Sequence, residues 1–151
     1  MHIEHSAVIS LSPAAARQDL CDPSVLGKIL PACVGISAGA VPWVASFDAE
    51  FMGLHERFDV EVYLREDEVE PALHLRFSTS TRMGRAAGEG TLDFEPVSSG
   101  TRLAMVGQVK VAGLLASLGE GLLRRAASEI ITRTLQRLEE SRTAIGDEPE
   151  A

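Results

Sequence analysis

From residue 32 to residue 111 the chain takes on a pattern of alternating apolar and polar residues with a period of two. Val41, Trp43, Ala45, Phe47 and Phe51 are interleaved with Val44, Ser46, Asp48 and Glu50. Phe58, Val60, Val62 and Leu64 alternate with Arg57, Asp59, Glu61 and Tyr63. Three more runs follow: Leu73 to Thr79, Ala86 to Phe94, and Leu103 to Val111. Successive side chains of a strand point to opposite faces, so each run predicts a strand with one buried face. Met52-Gly53, Asp67 to Pro71, Met83-Gly84 and Ser98-Ser99-Gly100 supply turns between them. No helical segment intervenes, which predicts an antiparallel meander.

The flanks read differently. Residues 3–11 predict a further strand. Ser12-Pro13 and Asp22-Pro23 each pair a capping side chain with a proline at the first helical position, where the missing N–H costs nothing. Two short helices are expected, one to about Leu20 and one ending at Pro31. From Gly113 to about Arg142 the apolar residues Leu115, Leu118, Leu122, Ala126, Ile130 and Leu138 fall near helical spacing. Leu123, Ala127 and Ile131 broaden the stripe. This predicts one amphipathic helix of about eight turns. Gly119 and Gly121 are unusual inside it, each costing about 0.8–1.0 kcal/mol against alanine. They suit a place where a strand, partner or ligand comes close. The fold class is α+β: a curved antiparallel sheet of about seven strands gripping a long C-terminal helix. A cavity is expected between them, open toward the short helices. The domain spans 1–142, and 143–151 reads as an acidic, disordered tail.

At 151 residues there is room for one domain and its core. The formal net charge of −8 repels phosphate backbones, which argues against a nucleic-acid partner. Cys21 and Cys33 form neither a disulfide framework nor a CxxC pair. No secretory leader and no apolar run of about 18 residues is visible, so the sequence reads as cytoplasmic with reduced thiols.

Several segments carry a family resemblance. They are Leu20-Cys21-Asp22-Pro23, Leu30-Pro31, Gly84 with Ala86 and Gly88, Gly100-Thr101, and the run Val109-Lys110-Val111-Ala112-Gly113-Leu114-Leu115-Ala116-Ser117-Leu118-Gly119. Together with the order of elements, they make the chain resemble the CoxG-like branch of the START-like, or SRPBCC, helix-grip superfamily, a branch named for a protein of the carbon monoxide dehydrogenase system. Two departures stand out. Arg17 occupies a first-helix position that is commonly a large apolar residue in that family, and Ala32 follows Pro31 where glycine is usual. The resemblance implies a hydrophobic ligand pocket, no covalent cofactor, and a bound quinone or lipid. It also implies an accessory role beside a molybdenum-dependent, CO dehydrogenase-type hydroxylase, at most peripheral at the inner membrane face. The short acidic end argues for weak membrane association or none. Oligomeric state stays open, a homodimer included.

Catalytic and metal patterns are absent from the sequence. His2, His5, His55 and His74 have no i, i+4 pairing, and His2 and His5 must face opposite sides of a strand. All four are expected at the surface. Gly84, Gly88 and Gly90 lack the lysine of a phosphate loop. The charged residues of the strands fall on the outer face, so the inner face offers almost no titratable group for acid–base chemistry. A binding module is therefore expected. Its ligand would sit between Trp43, Phe47, Phe58, Phe77 and Met105 on the sheet and Leu115, Leu118 and Leu122 on the helix, with Gly119 and Gly121 giving room. A polyketide cyclase-like enzyme using the same cavity, and an adaptor with a solid core, are the rival readings.

Overall fold

The computed structural model describes residues 1–51, 53–67 and 72–146. Met52 and residues 68–71, in two of the expected turns, lie outside the described residues, as do 147–151 of the expected tail. The element order is β1 (His2–Ile9), α1 (Pro13–Leu20), α2 (Pro23–Ile29), β2 (Cys33–Ser37), β3 (Trp43–Phe51), β4 (Leu54–Glu66), β5 (Ala72–Thr81), β6 (Gly84–Val97), β7 (Gly100–Ala112), α3 (Leu114–Ser117) and α4 (Glu120–Gly146). The seven strands form one antiparallel sheet in the order β1-β7-β6-β5-β4-β3-β2.

The two short helices start where the capping signals predict. The Ser12 hydroxyl accepts from the Ala15 N–H at 3.2 Å, with Pro13 in the first turn of α1. Asp22 caps α2, accepting from the Ser24 N–H at 3.0 Å and the Ser24 hydroxyl at 2.8 Å. Those bonds favour the charged form and hold the Asp22 carboxyl below its usual range.

The layout shows that the sheet is curled. α1 packs on β6 and β7, while α2 packs on β2, and the two helices touch. In a flat sheet β6 and β2 would lie about 19 Å apart, at about 4.8 Å per strand. Packed helices sit only about 8–10 Å apart, so the sheet must wrap toward them. The core fills the end under these helices. Ile9, Ala16, Leu20, Ile29, Leu73, Phe94, Leu103 and Leu138 are buried together. Thr101 is fully buried as well, and its hydroxyl donates to the Leu11 carbonyl at 2.6 Å. Glu139 accepts from the Ser10 N–H at 2.7 Å, tying the same end of α4 to the end of β1.

Three expectations need correction. The C-terminal segment is two helices, not one. Gly119 has a positive φ of 86°, which ends α3 and redirects the chain into α4. The gripping stripe of α4 is Leu123, Ala127, Ile131, Thr134 and Leu138, whereas Leu122 and Ile130 are 36% and 50% exposed. The two stripes compete at the sequence level because both have helical spacing, and only the crossing angle on the sheet selects one. The helix also continues to Gly146, so the first residues of the expected disordered tail are helical. β2 does not stand out as a separate run in the sequence, since it is five residues long and carries a register shift between Cys33 and Gly35.

Backbone geometry also bears on one departure noted in the sequence. Ala32 has φ 63°, the left-handed region that costs a residue with a Cβ about 1–2 kcal/mol. Ala32→Gly should therefore raise stability by up to about 1 kcal/mol, read as a higher Tm. Gly119→Ala should lower it by about 1 kcal/mol, because no L side chain favours φ 86°. Gly121→Ala, helical and with nothing within 4 Å of the added carbon, should hold or raise it.

Candidate functional site

The inner face of the sheet is packed at one end and only partly buried at the other. Pairing places Phe47 opposite Phe58, Trp43 opposite Val62, Val62 opposite Phe77, and Leu92 opposite Met105. All these residues therefore point toward the helices. Phe47 and Phe58 stack with centroids 5.4 Å apart and planes 14° from parallel. Yet Trp43, Phe47, Phe58, Phe77 and Met105 are each only partly buried, as are Leu115 in α3 and Leu118 just after it. Aromatic side chains on the inward face of a filled two-layer domain would be buried.

Gly88, Gly90 and Gly107 share the inner face, with Gly90 paired to Gly107. A Cβ on Gly88 would lie 2.6 Å from the Phe77 ring, and one on Gly107 would lie 2.7 Å from the Glu89 carbonyl. The first glycine lets the Phe77 ring lie across β6, and the second lets β6 and β7 approach closely. α3 is fastened to the β5–β6 turn by the Leu115 N–H, which donates to the Met83 carbonyl at 2.7 Å. A depression of about 520 Å³ lies elsewhere, between Gly121 and Arg133 on the exposed side of α4. Its walls come from that helix alone, so it cannot enclose a ligand.

Gly119, Gly121 and Leu122 do not join the aromatic residues. Gly119 and Gly121 are exposed with open space around them, and Leu122 lies beside the stripe that faces the sheet. Leu123 takes the inward position.

The inner face is also less free of titratable groups than the alternation predicts. His5 pairs with Met105 and shares its face with Ile3 and Ile9, both buried. It is partly buried there, which corrects its expected placement at the surface. His2 faces the other side, between Glu4 at 3.0 Å and Gln108 at 2.7 Å. Arg17 projects from the packed side of α1, with its guanidinium carbon 5.4 Å from the centroid of the Phe94 ring. Its Nε is buried and has no hydrogen-bond partner. Cys21 closes the same helix and donates its S–H to Glu66 at 3.5 Å. Both inward-turned bases, His5 and Arg17, have a signal in the sequence. Ile3, His5, Ala7 and Ile9 are one period-two face, and Pro13, Ala16, Arg17 and Leu20 are one i, i+3, i+4, i+7 face. Among the described residues no group of three or more metal-ligating side chains occurs, and no helix is long and apolar enough to cross a membrane.

A curled seven-stranded antiparallel sheet, two short helices after the first strand and a long C-terminal helix make this a START-like domain of the helix-grip type. The likeness to solved structures is extensive. A conserved protein from Geobacillus kaustophilus aligns with a TM-score of 0.85 at 17% identity, over 93% of this chain and 94% of that one. A START superfamily protein from Mycobacterium smegmatis aligns with a TM-score of 0.68 at 15% identity, over 95% and 98%. The di-domain ARO/CYC protein BexL aligns with a TM-score of 0.69 at 15% identity, over 97% of this chain and 48% of that one. No protein of curated function matches. Residues 6–142 match the CoxG family, named for a subunit of carbon monoxide dehydrogenase, and the chain belongs to that family.

Cys21 offers a direct test of the closed end. Burial, then the hydrogen bond to Glu66 and its charge, raise the thiol pKa from 9.0 to about 11, against a smaller opposite pull from Arg17. Two pH units mean about 100-fold less thiolate at pH 8. Iodoacetamide should therefore alkylate Cys21 about 100-fold more slowly than an open thiol, and Glu66→Gln should recover part of that rate. The folded chain holds this proton more tightly than the unfolded chain. Its contribution to stability is thus complete below pH 9.0 and lost as pH rises through about 11.

Proposed function

We propose that this chain carries an apolar small molecule, quinone-like or lipid-like, in the space between the curled sheet and the α3–α4 turn. One observation supports this above the rest: inward-facing Trp43, Phe47, Phe58, Phe77 and Met105 are only partly buried, whereas a packed core would bury them. Gly88, on the same face, lets the Phe77 ring lie across β6. Leu115 and Leu118 line the helical side, with Leu123 in place of Leu122. Membership of the CoxG family supports the further reading that the carrier serves a molybdenum-dependent, CO dehydrogenase-type enzyme as an accessory factor. In this reading it works in the cytoplasm or at the inner membrane face and does not transform its ligand.

His5 favours a second reading, a cyclase-like enzyme acting in the same space, because a histidine on the inner face can exchange protons with a bound substrate. Titration with a fluorescent apolar probe, displaced by a short-chain quinone, separates the two. Saturable displacement is expected, with the quinone recovered unchanged. Phe58→Ala should weaken binding about tenfold through lost apolar contact. Absence of saturable binding would remove the carrier reading, and turnover of a cyclisable polyketide mimic that disappears in His5→Ala would replace it with the enzyme.

A further inference from the structure

We infer that the exposed flank of α4 is the contact surface for a second copy of this chain, the two helices crossing antiparallel about a twofold axis at Ala126. This goes beyond ligand carriage and does not depend on it.

α4 carries two apolar rows. Leu123, Ala127, Ile131, Thr134 and Leu138 form the row toward the sheet. Leu122, Ala126 and Ile130, spaced four residues apart, form the row beside it. Leu122 and Ile130 are 36% and 50% exposed, and among the described residues they are the large apolar side chains of α4 left open to water. A row of this spacing is the ridge that meets its like in the commonest class of helix crossing. The residue at its middle is alanine, which lets two helix axes come close.

The charges beside the row select the partner. Arg125 and Glu129 are both exposed, on the side of the row away from the sheet. They stand four residues apart on one helix, yet among the described residues neither forms an ion pair. In an antiparallel crossing at Ala126, each residue faces the one equally far on the other side of the axis. Leu122 then meets Ile130 of the second copy, and Ile130 meets its Leu122. Arg125 comes beside Glu129 of the second copy, offset by about 3 Å along the helix. The twofold axis makes that pair twice. Arg133 faces the corner at Gly119 of the second copy, where even an added Cβ would touch nothing within 4 Å. This stretch of helix therefore complements itself in shape and in charge, as an isologous interface requires. An anionic surface would gain from the arginines and lose at Glu129, whereas a second copy uses both signs. The apolar area is small and each chain carries a net charge of −8, so the dimer is weak and reversible.

The test is analytical ultracentrifugation of the full chain at about 0.15 M salt, where long-range repulsion is screened. A monomer–dimer equilibrium is expected, with a Kd of about 10–100 µM. Ile130→Glu should leave the chain monomeric throughout, with its Tm unchanged. Arg125→Glu and Glu129→Arg should each weaken the dimer about tenfold, because each sets like charges against one another across the axis. The double variant Arg125→Glu with Glu129→Arg restores opposite signs and should recover the wild-type Kd to within about threefold. A wild-type chain still monomeric at about 500 µM would overturn the inference. So would a dimer that survives Ile130→Glu, or a double variant as weak as the single ones. A monomer that co-sediments with phosphatidylglycerol vesicles, and does so more tightly as Glu129→Arg, would give this flank to an anionic surface instead. If Ile130→Glu fails to fold, the charge reversals at the two exposed positions decide.

Discussion

Leu138, wholly buried near the end of α4, packs with Ile9, Leu20, Ile29, Leu73, Phe94 and Leu103, which come from six other elements, and the rest of the structure depends on this closed end. Thr101 joins β7 to the chain just after β1, and Glu139 joins α4 to Ser10. These contacts hold the helix by its C-terminal half, against β1 on one side and α2 on the other. Away from that end the inward aromatic side chains are only partly buried.

The glycines serve that geometry in two distinct ways. Gly88, Gly90 and Gly107 act where no Cβ fits, letting two strands and a phenyl ring share one place. Gly119 acts through its backbone, at the corner where α3 ends and α4 begins. That corner lets Leu115 and Leu118 face the sheet from a short turn while α4 departs at its own angle. A continuous helix would have forced one stripe to serve both halves. The CoxG-like run from Val109 to Gly119 thus encodes a strand, a turn and a corner.

The closed end also sets the chemistry of the site. Cys21, Glu66 and Arg17 meet where α1 approaches the sheet, and Phe94 forms the surface on which the cation rests. Burial and the Glu66 carboxylate keep the Cys21 thiol protonated, and the Arg17 Nε is buried beside it without a hydrogen-bond partner. Solved structures share this architecture at 15–17% identity, so the fold is kept while the side chains that line it differ from sequence to sequence.

The sequence by itself determined six of the seven strands, their faces and both short helices. Period-two alternation, Ser12-Pro13 and Asp22-Pro23 act within a few residues, so their meaning survives without the fold. It also determined the inward set Trp43, Phe47, Phe58, Phe77 and Met105, because pairing in register preserves sidedness across a sheet. What it could not decide was which of two helical stripes on α4 would face that set, whether Gly119 lay inside a helix or between two, or what Arg17 and His5 would meet on the inner face. Local spacing allows a charged residue on an otherwise apolar face and says nothing of what lies opposite. Only the tertiary structure brings Phe94 under Arg17 and Met105 beside His5, because those partners come from strands far along the chain.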